Sequence, residues 1–145
     1  MMNNDNSITV ETKLFGYIAQ EAHSNRFCVT VNKLFKSNNV NAMVIPMNIR
    51  PDDVAFTISQ MRSSKLNGAL VSSEYQEETF GLLDDMSSLV QESGYCDFIR
   101  IENGKLMGEL IAPSALEKFA DTFEDDIAMN AMTHYFYELT TGETK

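Results

Sequence analysis

The sequence predicts a single three-layer α/β domain: a mostly parallel sheet, an antiparallel edge hairpin, and a long C-terminal helix packed back across it. Strand-like and helix-like segments alternate from residue 12 to residue 90, an order that needs crossover connections and therefore parallel strands. Asn103-Gly104 then joins two strand-like runs through the dipeptide that best tolerates a tight hairpin turn, and beyond it apolar residues recur at helical spacing as far as Leu139. A chain of 145 residues, 43% hydrophobic and 22% charged, holds one such domain and can build its core without disulfides or metal.

Positions 1–8 are polar and Asn-rich, too poor in apolar surface to offset the entropy of ordering, and are expected to be a disordered tail before a domain at 9–145. Thr12 to Ile18 reads as the first strand. Phe27, Val31, Leu34 and Phe35 lie at helical spacing after Ser24, and Asn38-Asn39 ends that helix. Ala42 to Met47 is a short apolar run suited to a buried strand. Pro51 fits a first helical turn, Asp52 and Asp53 favour the positive end of the helix dipole, and Val54, Ile58 and Met61 form the apolar stripe. Gly68 to Val71 is another buried strand, and Tyr75 to Val90 carries helical spacing with an interruption at Asp84-Asp85. The hairpin strands are Cys96 to Ile101 and Lys105 to Ile111. Pro113, with Ser114 and Glu117 in a capping-box pattern, starts a helix at that point. Phe119, Phe123, Ile127, Ala131, Tyr135 and Leu139 continue it, either as one helix or as two divided at the weaker capping pattern of Thr122 and Asp125.

Eleven Lys and Arg against 21 Asp and Glu give a net charge of −10, a field that repels nucleic acid and anionic lipid. No apolar run approaches the length of a membrane-spanning helix, and no leader pattern opens the chain, so the expected compartment is the cytoplasm. Cys28 and Cys96 match no metal-ligand spacing and are read as reduced, buried thiols. The acidic groups Glu74, Glu77, Glu78 and Asp121, Glu124, Asp125, Asp126 lack the alternating ligands and Gly of a calcium loop, and read as solvated faces.

Phe15-Gly16, His23-Ser24, Pro51-Asp52-Asp53, Gly68, Gly94, Asn103-Gly104-Lys105-Leu106 and Gly108 follow one another in an order and spacing that resembles the substrate-binding domain of the shikimate/quinate dehydrogenase family. Tyr137-Glu138-Leu139-Thr140-Thr141-Gly142 is similar to the segment that closes the family's last helix. In the family a nicotinamide-cofactor domain precedes that helix. Here only a short acidic stretch separates it from the hairpin, and no G-x-G-x-x-G phosphate loop occurs, so the resemblance implies a family scaffold without its cofactor domain and with no cofactor of its own.

The resemblance also implies which groups handle the proton: a Lys and an Asp flanking the substrate hydroxyl. Those positions hold Gln76 and Ala112, and neither an amide nor a methyl takes up or releases a proton near neutral pH. Among the implied substrate contacts, the second serine of a Ser-x-Ser motif is Arg26, an Asn is Asp97 and a Gln is Met132, while Ser24 and Ser72 retain hydroxyls. These seven residues, Ser24, Arg26, Ser72, Gln76, Asp97, Ala112 and Met132, make the candidate ligand pocket. Each lost polar partner costs on the order of 1–3 kcal/mol, so shikimate turnover is expected to be absent and shikimate binding weak.

Arg26 beside Ser24 at a helix start either holds a carboxylate or is simply solvated next to a capping serine. The expected function is therefore a catalytically inactive, stand-alone relative of the dehydrogenase substrate domain that binds a protein partner or a small ligand. Two rivals stand beside it: the substrate half of a two-subunit oxidoreductase, with His23 or Glu74 as substitute proton donors, and a small-carboxylate sensor built on Arg26. Removing a domain uncovers the surface that met it, so a homodimer through the C-terminal helix is expected.

Overall fold

The computed structural model describes residues 11–22 and 26–142. Its strands are β1 Lys13–Ala19, β2 Ala42–Asn48, β3 Gly68–Val71, β4 Asp85–Met86, β5 Phe98–Glu102 and β6 Lys105–Glu109. Its helices are α1 Arg26–Ser37, α2 Val54–Gln60, α3 Gln76–Phe80, α4 Ser88–Ser93, α5 Ala112–Phe119 and α6 Ile127–Thr141. The strands form one sheet in the order β2-β1-β3-β5-β6-β4. β1 runs parallel to both β2 and β3, β5 is antiparallel to β3 and β6, and β4 is parallel to β6.

The period-two alternation of strand side chains divides the core into two layers of packing. Ile18, Ala69, Val71, Ile99 and Leu106 face the helices that carry Val54, Ile58 and Val90. Phe15, Val44, Leu70 and Phe98 face the opposite way, against Phe27, Val31 and Phe35 of α1 and Phe136 of α6. Adjacent residues of β3 and β5 thus serve different layers, which makes the domain three layers thick. Phe136 is the contact that seats α6: its ring lies edge-on to Phe15 at 5.0 Å and also meets Phe27 and Phe98. Burying such a ring contributes about 1.5–3 kcal/mol.

Local signals account for several boundaries. Asn103 and Gly104 both have positive φ, 54° and 74°, as a two-residue hairpin turn requires, and Glu102 pairs with Lys105 across it. Ser87 accepts from the Val90 N–H to cap α4, and Gly94 closes the helix in the left-handed region. Gly68 is fixed by contact rather than by conformation: a Cβ there would stand 2.5 Å from the Ile99 carbonyl oxygen.

Two details depart from the sequence reading. The segment expected as helix from Tyr75 to Val90 contains two short helices, with β4 between them. That strand lies outside the hairpin, because the Asp84 and Ser87 N–H groups donate to the Leu106 and Gly108 carbonyls of β6. α5 begins at Ala112 rather than at a Ser114 cap, since the Asp97 carboxylate satisfies the first free N–H groups from across the fold. Of the two alternatives for the C-terminal segment the structure takes the two-helix one, divided by a 3-10 turn at Ala120–Thr122, an extended Phe123 and a left-handed Asp126. The expected tail at 1–8 lies outside the described residues.

Candidate ligand cleft

The parallel strands β1, β2 and β3 end on the same side of the sheet, at Ala19, Asn48 and Val71. In open α/β sheets this is the edge where ligands sit. A cleft of about 340 Å³ opens there, lined by Tyr17, Ala19, Gln20, Glu21, Ser72 and Glu74. Its loops are tied by polar bonds that continue the sheet: the Ser72 N–H donates to the Ile18 carbonyl at 2.9 Å, and the Ala22 N–H donates to Asn48 Oδ1 at 2.6 Å. The Tyr75 hydroxyl donates to the Ile49 carbonyl at 2.6 Å. The Gln20 N–H donates to the Glu74 carboxylate at 2.9 Å.

Partial burial alone would raise the Glu74 carboxyl, but the Gln20 N–H and the Ser72 hydroxyl favour its ionised form and hold it below the usual carboxylate range. The Ser72 hydroxyl is shielded from solvent and makes no well-formed hydrogen bond, although it stands near enough to Glu74 to exert that influence.

Four of the expected pocket residues share one neighbourhood at the end of β3. Gln76 donates its side-chain N–H to the Val71 carbonyl at 2.9 Å, and the Val71 N–H donates to the Asp97 carbonyl. The buried Asp97 carboxylate accepts from Ile111 N–H at 2.8 Å and from Ala112 N–H at 2.9 Å, while Ser72 follows Val71 directly. Burial pushes the Asp97 carboxyl up, against the two backbone donors that favour its charge.

Arg26 and Met132 sit elsewhere. Arg26 is 71% exposed and forms an ion pair with Asp126, joining the starts of α1 and α6. Met132 packs against the apolar layer around Phe136. His23 and Ser24 lie outside the described residues. Cys28 and Cys96 are buried and form no disulfide, and burial pushes both thiols up to about 12, which leaves them protonated and poor nucleophiles near neutral pH. Among the described residues no group of three or more His, Cys, Asp or Glu is placed to hold a metal ion, and no helix is long and apolar enough to cross a membrane. Sequence reasoning missed the walls made by Tyr17, Gln20 and Glu21, since the Gln20 contribution is a backbone donor that no residue type announces.

No protein-family model matches the sequence. Among curated proteins, the shikimate dehydrogenase (NADP(+)) of Pyrococcus furiosus is 29% identical over 116 residues, covering 77% of this chain. That of Aquifex aeolicus is 27% identical over 101 residues, covering 70%. The chain spans only 42% and 38% of the lengths of these two relatives. Among solved structures, shikimate dehydrogenase from Aquifex aeolicus superposes with a TM-score of 0.71 at 24% identity, covering 81% of this chain and 44% of that one. Shikimate 5-dehydrogenase from Listeria monocytogenes, in complex with shikimate and NAD, also gives 0.71, at 18% identity over 79% of this chain and 39% of that one.

Proposed function

We propose that this chain, which has the fold of the shikimate dehydrogenases and resembles them in sequence over most of its length, is a binding domain without hydroxyl proton-transfer chemistry. It recognises a small ligand or a protein partner. The observation that carries the reading is the chemistry around the end of β3. Gln76 and Ala112 occupy the positions where the family resemblance calls for a Lys and an Asp, and the Gln76 amide is already bonded to the Val71 carbonyl. A bound amide and a methyl cannot exchange a proton with a substrate hydroxyl. Asp97, the carboxylate in the same neighbourhood, has both oxygens engaged by backbone donors. The connection from β6 to α6, which consists of α5 and a short turn, further supports the reading that the cofactor module is missing at that point of the scaffold.

The test is a steady-state assay of the purified chain with shikimate or quinate and NAD or NADP. The expected result is no turnover above the protein-free rate, and turnover would overturn the reading. Thermal-shift screening of small polyhydroxy and carboxylic acids then separates ligand binding from a pure protein-interaction role, because a ligand of the folded state raises its stability. Self-association through α5 and α6 belongs to the same proposal: Leu116, Ile127 and Leu139 are each more than a third exposed on these helices. A monomeric mass in light scattering at micromolar concentration would contradict that part alone.

A further inference from the structure

β2 is an outer strand of the sheet, and an outer strand with free N–H and C=O groups is a template for another chain. Its residues, Ala42–Asn48, carry no charge, so nothing along the strand repels a copy of itself. Yet both outward groups of Val44, in the middle of the strand, are already engaged. The side-chain amide of Asn32, on α1, donates to the Val44 carbonyl at 2.9 Å and accepts from the Val44 N–H at 2.8 Å. Those are the two bonds that a neighbouring strand would make at Val44.

Strand geometry extends the observation along the edge. Since the Val44 backbone points away from β1, the period of two turns Ala42 and Pro46 the same way. The Ala42 N–H donates to the Val40 carbonyl at 2.9 Å, and Pro46 has no N–H to offer. The opposite edge is also short of donors: β4 has two residues, and the Met86 N–H donates to the Asp85 carboxylate at 2.8 Å.

We propose that Asn32 is a plug on the sheet edge, whose amide stands in for a strand and prevents a second copy of this chain from pairing its β2 with this one. β2 carries no charge, and once the plug is removed Val44 can exchange its N–H and C=O bonds with Val44 of a second copy about a two-fold axis.

The experiment compares the mass of Asn32→Ala with that of the unmodified chain by light scattering across a concentration series. The expected result is an average mass at least twice that of the unmodified chain at tens of micromolar, reversed when Met43→Lys places a charge on the same strand. An unchanged mass in the folded variant overturns the proposal. So does association that Met43→Lys fails to reverse, because it would then come from unfolding. Hydrogen exchange on the unmodified chain gives a readout that does not depend on the variant folding: the Val44 amide is expected to exchange slowly, and exchange at the rate of an open edge overturns the plug.

Discussion

Asp97→Asn tests how the fold uses the one deeply buried carboxylate near the cleft. In the native chain one oxygen accepts from Ile111 N–H and the other from Ala112 N–H, which together anchor the start of α5. Asn keeps a single acceptor and turns its NH2 toward the second donor. One N–H loses its partner, at a cost of about 1–3 kcal/mol, and Ala112 is only half-buried, so water limits the loss to about 1–2 kcal/mol. At about 2–4 °C per kcal/mol for a domain of this size, Tm should fall by roughly 2–8 °C. The pH dependence carries the sharper information. Burial raises the folded pKa of Asp97 above its ordinary value of 3.8. The folded state therefore binds more protons than the unfolded one between those two values. The stability this group supplies is complete below pH 3.8 and is lost as pH rises through the folded pKa. Urea denaturation of both proteins from pH 3.5 to 7 should show the deficit of Asp97→Asn shrinking as pH rises. A deficit that grows with pH would refute the reasoning, because it would mean that the backbone donors outweigh burial and Asp97 is stabilised as an anion.

Gly68→Ala should cost about 1–3 kcal/mol in urea denaturation, because the new methyl lands 2.5 Å from a backbone carbonyl that cannot turn aside. Asp84 has the opposite sign to Asp97: hydrogen bonds from Arg62 and the Leu106 N–H lower its pKa, so its contribution is present above 3.8 and lost as pH falls through the folded value. Asp84→Asn should accordingly flatten the acid limb of a stability-pH curve. Cys28 and Cys96, with thiols near 12, should resist a maleimide in the native protein at pH 7 and react on unfolding, as intact mass would record. Arg26→Ala should change stability by no more than about 1 kcal/mol, since its ion pair with Asp126 is exposed on both sides.

The parts of the fold that were legible in the sequence are those whose cause is local. Gly68–Val71 matches its expected strand because four buried residues between polar neighbours leave few alternatives, and the Asn103-Gly104 turn follows from the two positive φ angles it needs. β4 was not legible. A two-residue strand has no periodicity, and it exists because the residues on either side of it donate to β6. The start of α5 was misplaced for a related reason: Ser114 offered a cap in the sequence, but a carboxylate from position 97 reaches the helix two residues earlier.

The same distinction governs the cleft. Sequence resemblance located Ser72, Gln76, Asp97 and Ala112, and the structure brings their surroundings together through the backbone of Val71. What it could not give was the use to which each side chain is put, since that depends on partners far away along the chain: Arg26 meets Asp126, and Glu74 meets the N–H of Gln20. Two of the polar side chains at the end of β3 hold backbone, Gln76 on a strand carbonyl and Asp97 on a helix start. Among the described residues, the polar lining of the cleft comes from Ser72, Glu74 and the loop after β1, not from the positions where the resemblance places proton transfer.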